Sequence, residues 1–211
     1  YNGLVLLAVA GMMLLGISHD FLTLVISLEI MSIATYILAG SRREKEESTE
    51  AALKYLILGA FSTAFLLFGV ALYYGATGSV SLGALADAGP QMRNLGIGAL
   101  ALMAVGLLFK IGATPFHFWV PDVYEGAPTP VTSLMAVGVK AAAFAVLARI
   151  AFESFAAEVY HDALTGLLVI VSVATMAIGN LLAIHQQNLK RMLAYSGIAH
   201  TGYLLLAFLL P

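Results

Sequence analysis

Four ionisable side chains stand inside apolar stretches: Glu29 in SLEIMS, Lys54 in AALKYL, Lys110 in GLLFKIGATPFHFW and Lys140 in MAVGVKAAAF. An ionised group at the centre of a bilayer costs about 2.5 to 3.5 kcal/mol on insertion scales, so each position needs a reason. The chemistry such groups offer is the binding and release of protons, with affinity set by burial and by neighbouring charge. Each also has a plainer reading. Glu29, in mid-segment, could be a structural pair or a protonated carboxyl bonded to the next helix. Lys54 starts its segment just after a charged loop and could snorkel to water, or it could pair with Glu29 on the neighbouring helix. Lys110 could snorkel if its helix stopped at Gly112; if Pro115 instead broke a longer segment, it would sit beside free carbonyls in a discontinuous helix that lines an ion path. Lys140 lies roughly 15 Å below the membrane surface at helical rise, too deep to snorkel. The small residues Gly138, Ala141, Ala142 and Ala143 around it permit close packing or a water-filled gap.

Histidine adds one further candidate. His200 falls inside the last apolar segment and reads either as a relay member or as a core histidine satisfied by a hydroxyl. His185 belongs to the HQQNLKR loop and makes no haem pair with it, and His19 and His161 flank helix ends. The sequence offers no serine triad, phosphate loop or metal-ligand cluster, so no catalytic, cofactor-binding or metal residue is assigned on this chain.

The elements that must hold these residues follow from composition. Of 211 residues, 61% are hydrophobic and 10% are charged, and the mean hydropathy is +0.94, whereas a soluble domain has about 45–50% apolar and about 25% charged residues. The apolar runs have the length that crosses a hydrocarbon core about 30 Å thick. Seven spans are expected, near 2–17, 20–40, 51–75, 94–113, 130–152, 162–184 and 191–211, giving an all-α, polytopic transmembrane bundle. The loop SRREKEESTE at 41–50 must face water. Net charge of −2 gives no basic footprint for nucleic acid, and the absence of cysteine excludes thiolate-ligated clusters and disulfides.

Orientation follows from the placement of basic residues. Arg42, Arg43, Lys45, Lys190 and Arg191 flank the loops after spans two, four and six, against Arg93 and Arg149 beside the others, so the positive-inside rule puts the former loops in the cytoplasm. The loop 76–94 then lies outside, and its segment 79–85 could form a short hairpin arm. Tyr1 is not an initiator methionine and Pro211 closes an apolar run, so both ends are expected to be cut from a longer polypeptide.

The run FKIGATPFHFWVPDVYEGAPTP at 109–130 and the run NLKRMLAYSGIAHTGYLLLAF at 188–208 resemble the signature stretches of the antiporter-like membrane subunits of respiratory complex I, which are similar to subunits of multisubunit sodium/proton antiporters. The resemblance extends over essentially the whole chain. It implies a fragment of a fourteen-helix fold made of two inverted five-helix repeats, each with a broken helix: 1–152 would be the first repeat and 153–211 the beginning of the second. By the same resemblance Glu29 would be the essential glutamate, Lys54 its partner lysine, Lys110 the broken-helix lysine and Lys140 the central-axis lysine. The last ionisable residue of the family's path would lie beyond this segment, which should not conduct alone. Trp119, Pro121 and Asp122 read as architecture.

The function implied is proton translocation in the bacterial inner membrane, as part of an NADH-quinone oxidoreductase. Partners would be the lipid bilayer, other membrane subunits and subunits that handle NADH and quinone, with no cofactor on this chain. The alternatives are a sodium/proton antiporter subunit and a structural membrane scaffold whose buried charges fix helix packing.

Overall fold

Two of the long helices begin on side-chain caps. Asp20 accepts from the Thr23 amide at 2.8 Å and starts one helix, while Asn188 accepts from the Lys190 amide at 2.9 Å and starts another. The computed structural model describes the backbone of residues 1–156 and 158–209, with side chains except those of residues 87, 158, 159 and 161. In order these are α1 (Asn2–Ile17), α2 (Phe21–Ala39), α3 (Glu46–Thr77), α4 (Arg93–Ile111), α5 (Trp119–Gly126), α6 (Thr129–Leu134), α7 (Lys140–Arg149), α8 (Glu158–Ile184) and α9 (Leu189–Leu206). A π-helical turn, Met135–Val139, joins α6 to α7, and a second, Ile150–Ser154, completes a continuous rod over Thr129–Ser154.

Six helical segments among the described residues are long and apolar enough to cross a membrane, and α1, with 16 residues, supplies a shorter seventh. The expected all-α bundle is therefore present. Large apolar side chains such as Ile26, Phe61, Phe68, Ile170 and Ile184 point outward, as they must on a surface solvated by lipid. Polar groups turn inward instead: Ser27, Ser32, Ser62, Ser172, Thr175 and Thr201 are buried. Close packing needs small residues at helix crossings. A Cβ added at Gly202 of α9 would stand 2.8 Å from the Met176 amide nitrogen on α8, so only glycine allows that approach.

Two local expectations change. The third span begins at Glu46, not near residue 51, because Glu46 and Glu47 complement the positive N-terminal end of α3. Ser48 is consequently buried, its hydroxyl bonded to the Ala39 carbonyl at 2.7 Å, rather than in water with the rest of the loop. The segment 79–85 forms no hairpin arm: it makes one antiparallel bridge, Asp20 to Ser81, and then enters a 3-10 turn, Ala84–Asp87.

Candidate functional site

The helix carrying Lys110 stops because Gly112 takes a left-handed conformation, φ 71°, which lacks steric cost only for a residue without Cβ. The chain then runs irregularly to α5. Lys110 is left in the last turn of α4, 3% exposed, so the snorkelling reading fails and the discontinuous-helix reading stands. Its Nζ donates to Ser32 Oγ at 2.7 Å and lies 5.3 and 5.2 Å from the ring centroids of Tyr36 and Tyr55. Both rings present a negative face to the ammonium. Tyr55 in turn stacks on Trp119 at 4.5 Å, and Trp119 Nε1 donates to the Phe109 carbonyl at 3.0 Å, so α5 backs the wall of this chamber.

Glu29 lies three residues before Ser32 on the same face of α2. Its carboxylate accepts from Thr63 Oγ1 on α3 at 2.8 Å, on the α2 face that also carries Ser32, the hydroxyl bonded to Lys110. The expected Glu29–Lys54 pair does not form. Lys54 faces the other way and bonds Glu50 and Asp122, each at 2.7 Å, because it sits only two turns into α3, beside α5.

Lys140 follows the first π-helical turn, a feature that often marks functional positions. It is 8% exposed, and its Nζ donates to the Gly197 carbonyl at 2.9 Å and to Thr201 Oγ1 at 3.0 Å, both on α9. A groove of about 850 Å³ opens between the Thr129–Ser154 rod and α9, lined by Lys140, Ser133, Ser196, His200, Thr201 and Lys190 among others. Of the small residues around Lys140, Ala141 lines this groove, whereas Gly138 packs beside Met12 and Ala143 is buried. His200 is exposed on this groove, with its ring 5.9 Å from that of Tyr203, so the reading of it as a core histidine is corrected.

A third cluster was not foreseen. Arg191 at the start of α9 bonds Asp122 at 2.7 Å and Glu125 at 2.8 Å, so Asp122 is shared by Lys54 and Arg191. Burial alone would raise the Asp122 carboxyl, but hydrogen bonds from Lys54 and Arg191 outweigh it and hold the group below the usual carboxylate range. Lys190 Nζ caps the end of α5 through the Glu125 and Ala127 carbonyls at 3.1 and 2.9 Å. Asp122 is thus a latch between α3, α5 and α9 as well as architecture. The signal was available in the two quoted motifs, one carrying the acids Asp122 and Glu125 and the other the adjacent bases Lys190 and Arg191.

A bundle of membrane-length helices with a broken helix, holding buried lysines among neutral oxygens, defines a polytopic membrane protein. The chain belongs to the NADH:quinone oxidoreductase/Mrp antiporter transmembrane family, whose model matches residues 18–210. It is 50% identical over 209 residues to NADH-quinone oxidoreductase subunit N of Myxococcus xanthus, covering 97% of this chain and 40% of that protein. It is 47% identical over 205 residues to the subunit of the same name from Mycobacterium tuberculosis, covering 96% and 38%. Among solved structures it resembles a chain of respiratory complex I from Thermus thermophilus, with a TM-score of 0.84 and 47% identity over 97% of this chain and 44% of that one. It also resembles a chain of the Mrp complex from Dietzia, with a TM-score of 0.87 and 26% identity over 99% and 39%. The chain spans about two fifths of the length of these curated relatives.

Proposed function

We propose that this chain is a portion of a proton-translocating membrane subunit of an NADH-quinone oxidoreductase, seated in a bacterial inner membrane. One observation carries the reading: Lys110 and Lys140 are buried at depth with neutral oxygens as their hydrogen-bond partners. An amine in that setting can give up its proton without stranding a bonded carboxylate. Glu29, one turn before Ser32 on α2, places a carboxylate on the helix face that meets Lys110. Lys54 enters this account as a charge fixed by Glu50 and Asp122 beside the path. His200, exposed on the groove that Lys140 also lines, is the further relay member in this reading. Oxidation of NADH and reduction of quinone belong to partner subunits, and no redox group is assigned here.

In this reading 1–152 is the first five-helix repeat, made of α1, α2, α3, the broken α4–α5 pair and the rod through α6 and α7. Residues 153–211 begin the second. A sodium/proton antiporter subunit is the second reading, favoured by the TM-score of 0.87 to the Mrp chain. The greater identity to the complex I chain, 47% against 26%, weighs toward the oxidoreductase.

The test is Lys140→Met in the full-length subunit within its complex. Methionine keeps most of the apolar volume and removes the titrating group. The complex should assemble while coupled proton pumping falls by roughly tenfold or more, and Lys140→Arg should restore little because arginine stays protonated. Normal pumping by the assembled Met variant refutes a relay role, and a loss of assembly with normal pumping per assembled complex supports the scaffold. Pumping that requires sodium would favour the antiporter.

A further inference from the structure

The broken end of α4 has a backbone problem that the sequence creates. In a continuous helix the Ile111 carbonyl would accept from residue 115, but that residue is proline and has no N–H. The Lys110 carbonyl would accept from Thr114, whose amide instead donates to Thr175 Oγ1 on α8 at 3.0 Å. Ile111 is fully buried, so its carbonyl needs a donor from elsewhere. That donor is the hydroxyl of Thr201 on α9, at 3.0 Å.

The same hydroxyl oxygen accepts from Lys140 Nζ at 3.0 Å. A hydroxyl carries one hydrogen and two lone pairs, whereas an ammonium has donors only. While Lys140 is protonated, therefore, the Thr201 hydrogen must point away from it, toward Ile111 or toward the Gly197 carbonyl at 3.1 Å, which Lys140 already occupies at 2.9 Å. Once Lys140 gives up a proton, its lone pair becomes an acceptor and the Thr201 hydrogen can turn to it. The Ile111 carbonyl, one residue from Lys110, then loses its donor.

We propose that Thr201 is a positioning residue that transmits the protonation state of Lys140 to the broken end of α4 at Lys110. The inference rests on the reading given under Proposed function and adds a specific connection between the two lysines. Thr201 is 1% exposed and carries no charge, so it moves no net proton: its role is to reverse the direction of one hydrogen bond. The other titratable groups that line the Lys140 groove are Tyr124, Lys190 and His200; Thr201 is the side chain that bonds both Lys140 and the α4 terminus.

The test compares Thr201→Val, which keeps the shape and removes the hydroxyl, with Thr201→Ser, which keeps the hydroxyl, and with Lys140→Met, all in the full-length subunit within its complex. Proton pumping into sealed vesicles is read per assembled complex. Thr201→Val should lower pumping about tenfold and Thr201→Ser should stay within about twofold of the parent, as expected for losing or keeping a hydrogen bond to a charged group. If the Val variant assembles poorly, Thr201→Ala reads the same contrast against Ser. Normal pumping by the Val or Ala variant alongside a failed Lys140→Met overturns this inference alone, and an equal defect in Ser and Val overturns it in favour of simple packing. Normal pumping by Lys140→Met overturns the underlying reading and this inference with it.

Discussion

Lys54 and Lys110 belong to the same bundle and are both bonded at 2.7 Å, yet their partners differ in kind. Lys54 is answered by the carboxylates of Glu50 and Asp122, at a rim where its side chain is 42% exposed. Lys110 is answered by the Ser32 hydroxyl and two aromatic faces in the interior, and Lys140 likewise by a carbonyl and a hydroxyl. A lysine paired to a carboxylate gains from keeping its charge, so the rim cluster is built to stay put. A lysine held by dipoles keeps a bonding partner in either charge state, so the interior sites are built to change. What separates the two regions is the chemistry of the acceptor, since the residue type is shared.

The comparison breaks most visibly at Glu29. Glu29→Gln keeps the shape and the bond to Thr63 while removing the carboxylate charge from the α2 face that meets Lys110. Pumping per assembled complex should fall by roughly tenfold, measured by a pH-sensitive dye in sealed vesicles, with assembly retained. Unchanged pumping would reduce Glu29 to a structural carboxyl.

A smaller effect is expected at the latch. Asp122→Asn removes the charge shared by Lys54 and Arg191, and after solvent screening of partly exposed pairs it should cost about 1 kcal/mol of stability. Because the native carboxyl is held below its ordinary value, its contribution is fully present above about pH 4 and is lost only as the pH falls through the depressed value. Thermal unfolding of parent and variant complexes should therefore differ by a constant margin from neutral to mildly acid pH and converge in stronger acid. A margin that instead grew with acidity would reverse the sign and contradict the latch.

The smallest perturbation is a labelling experiment in this cysteine-free background. Glu44→Cys should react with an impermeant reagent only from the cytoplasmic side and Ser81→Cys only from the opposite side, both positions being exposed. Ser48→Cys should react from neither, since its side chain is buried against the Ala39 carbonyl. Labelling of Glu44→Cys in intact cells would invert the topology.

Much of this was legible in the sequence for identifiable reasons. Lys140 could be placed at depth because helical rise converts residue count directly into distance. The seven apolar stretches were legible because lipid demands uninterrupted length. The fate of Lys110 was not, since Gly112 both ends the helix and precedes an inward turn, and only tertiary structure decides whether the chain then reaches water. Asp122 was legible as architecture but its bridging role was not, because its partners lie 68 and 69 residues away and a short segment carrying Pro, Trp and Gly looks like a connector. Thr201 escaped for another reason: a threonine in an apolar helix usually bonds its own i−4 carbonyl, and the missing amide of Pro115 shows its consequence only when α9 is placed against α4.

The central claim, that acceptor chemistry decides which lysines exchange protons, is tested most directly by measuring pumping per assembled complex for Lys54→Met and Lys110→Met side by side. Lys54→Met should lose at most about 1 kcal/mol of stability and keep most of its pumping per assembled complex, while Lys110→Met should assemble and lose roughly tenfold or more of its pumping. Equal pumping losses in the two assembled variants, or a larger loss for Lys54→Met, would contradict the account.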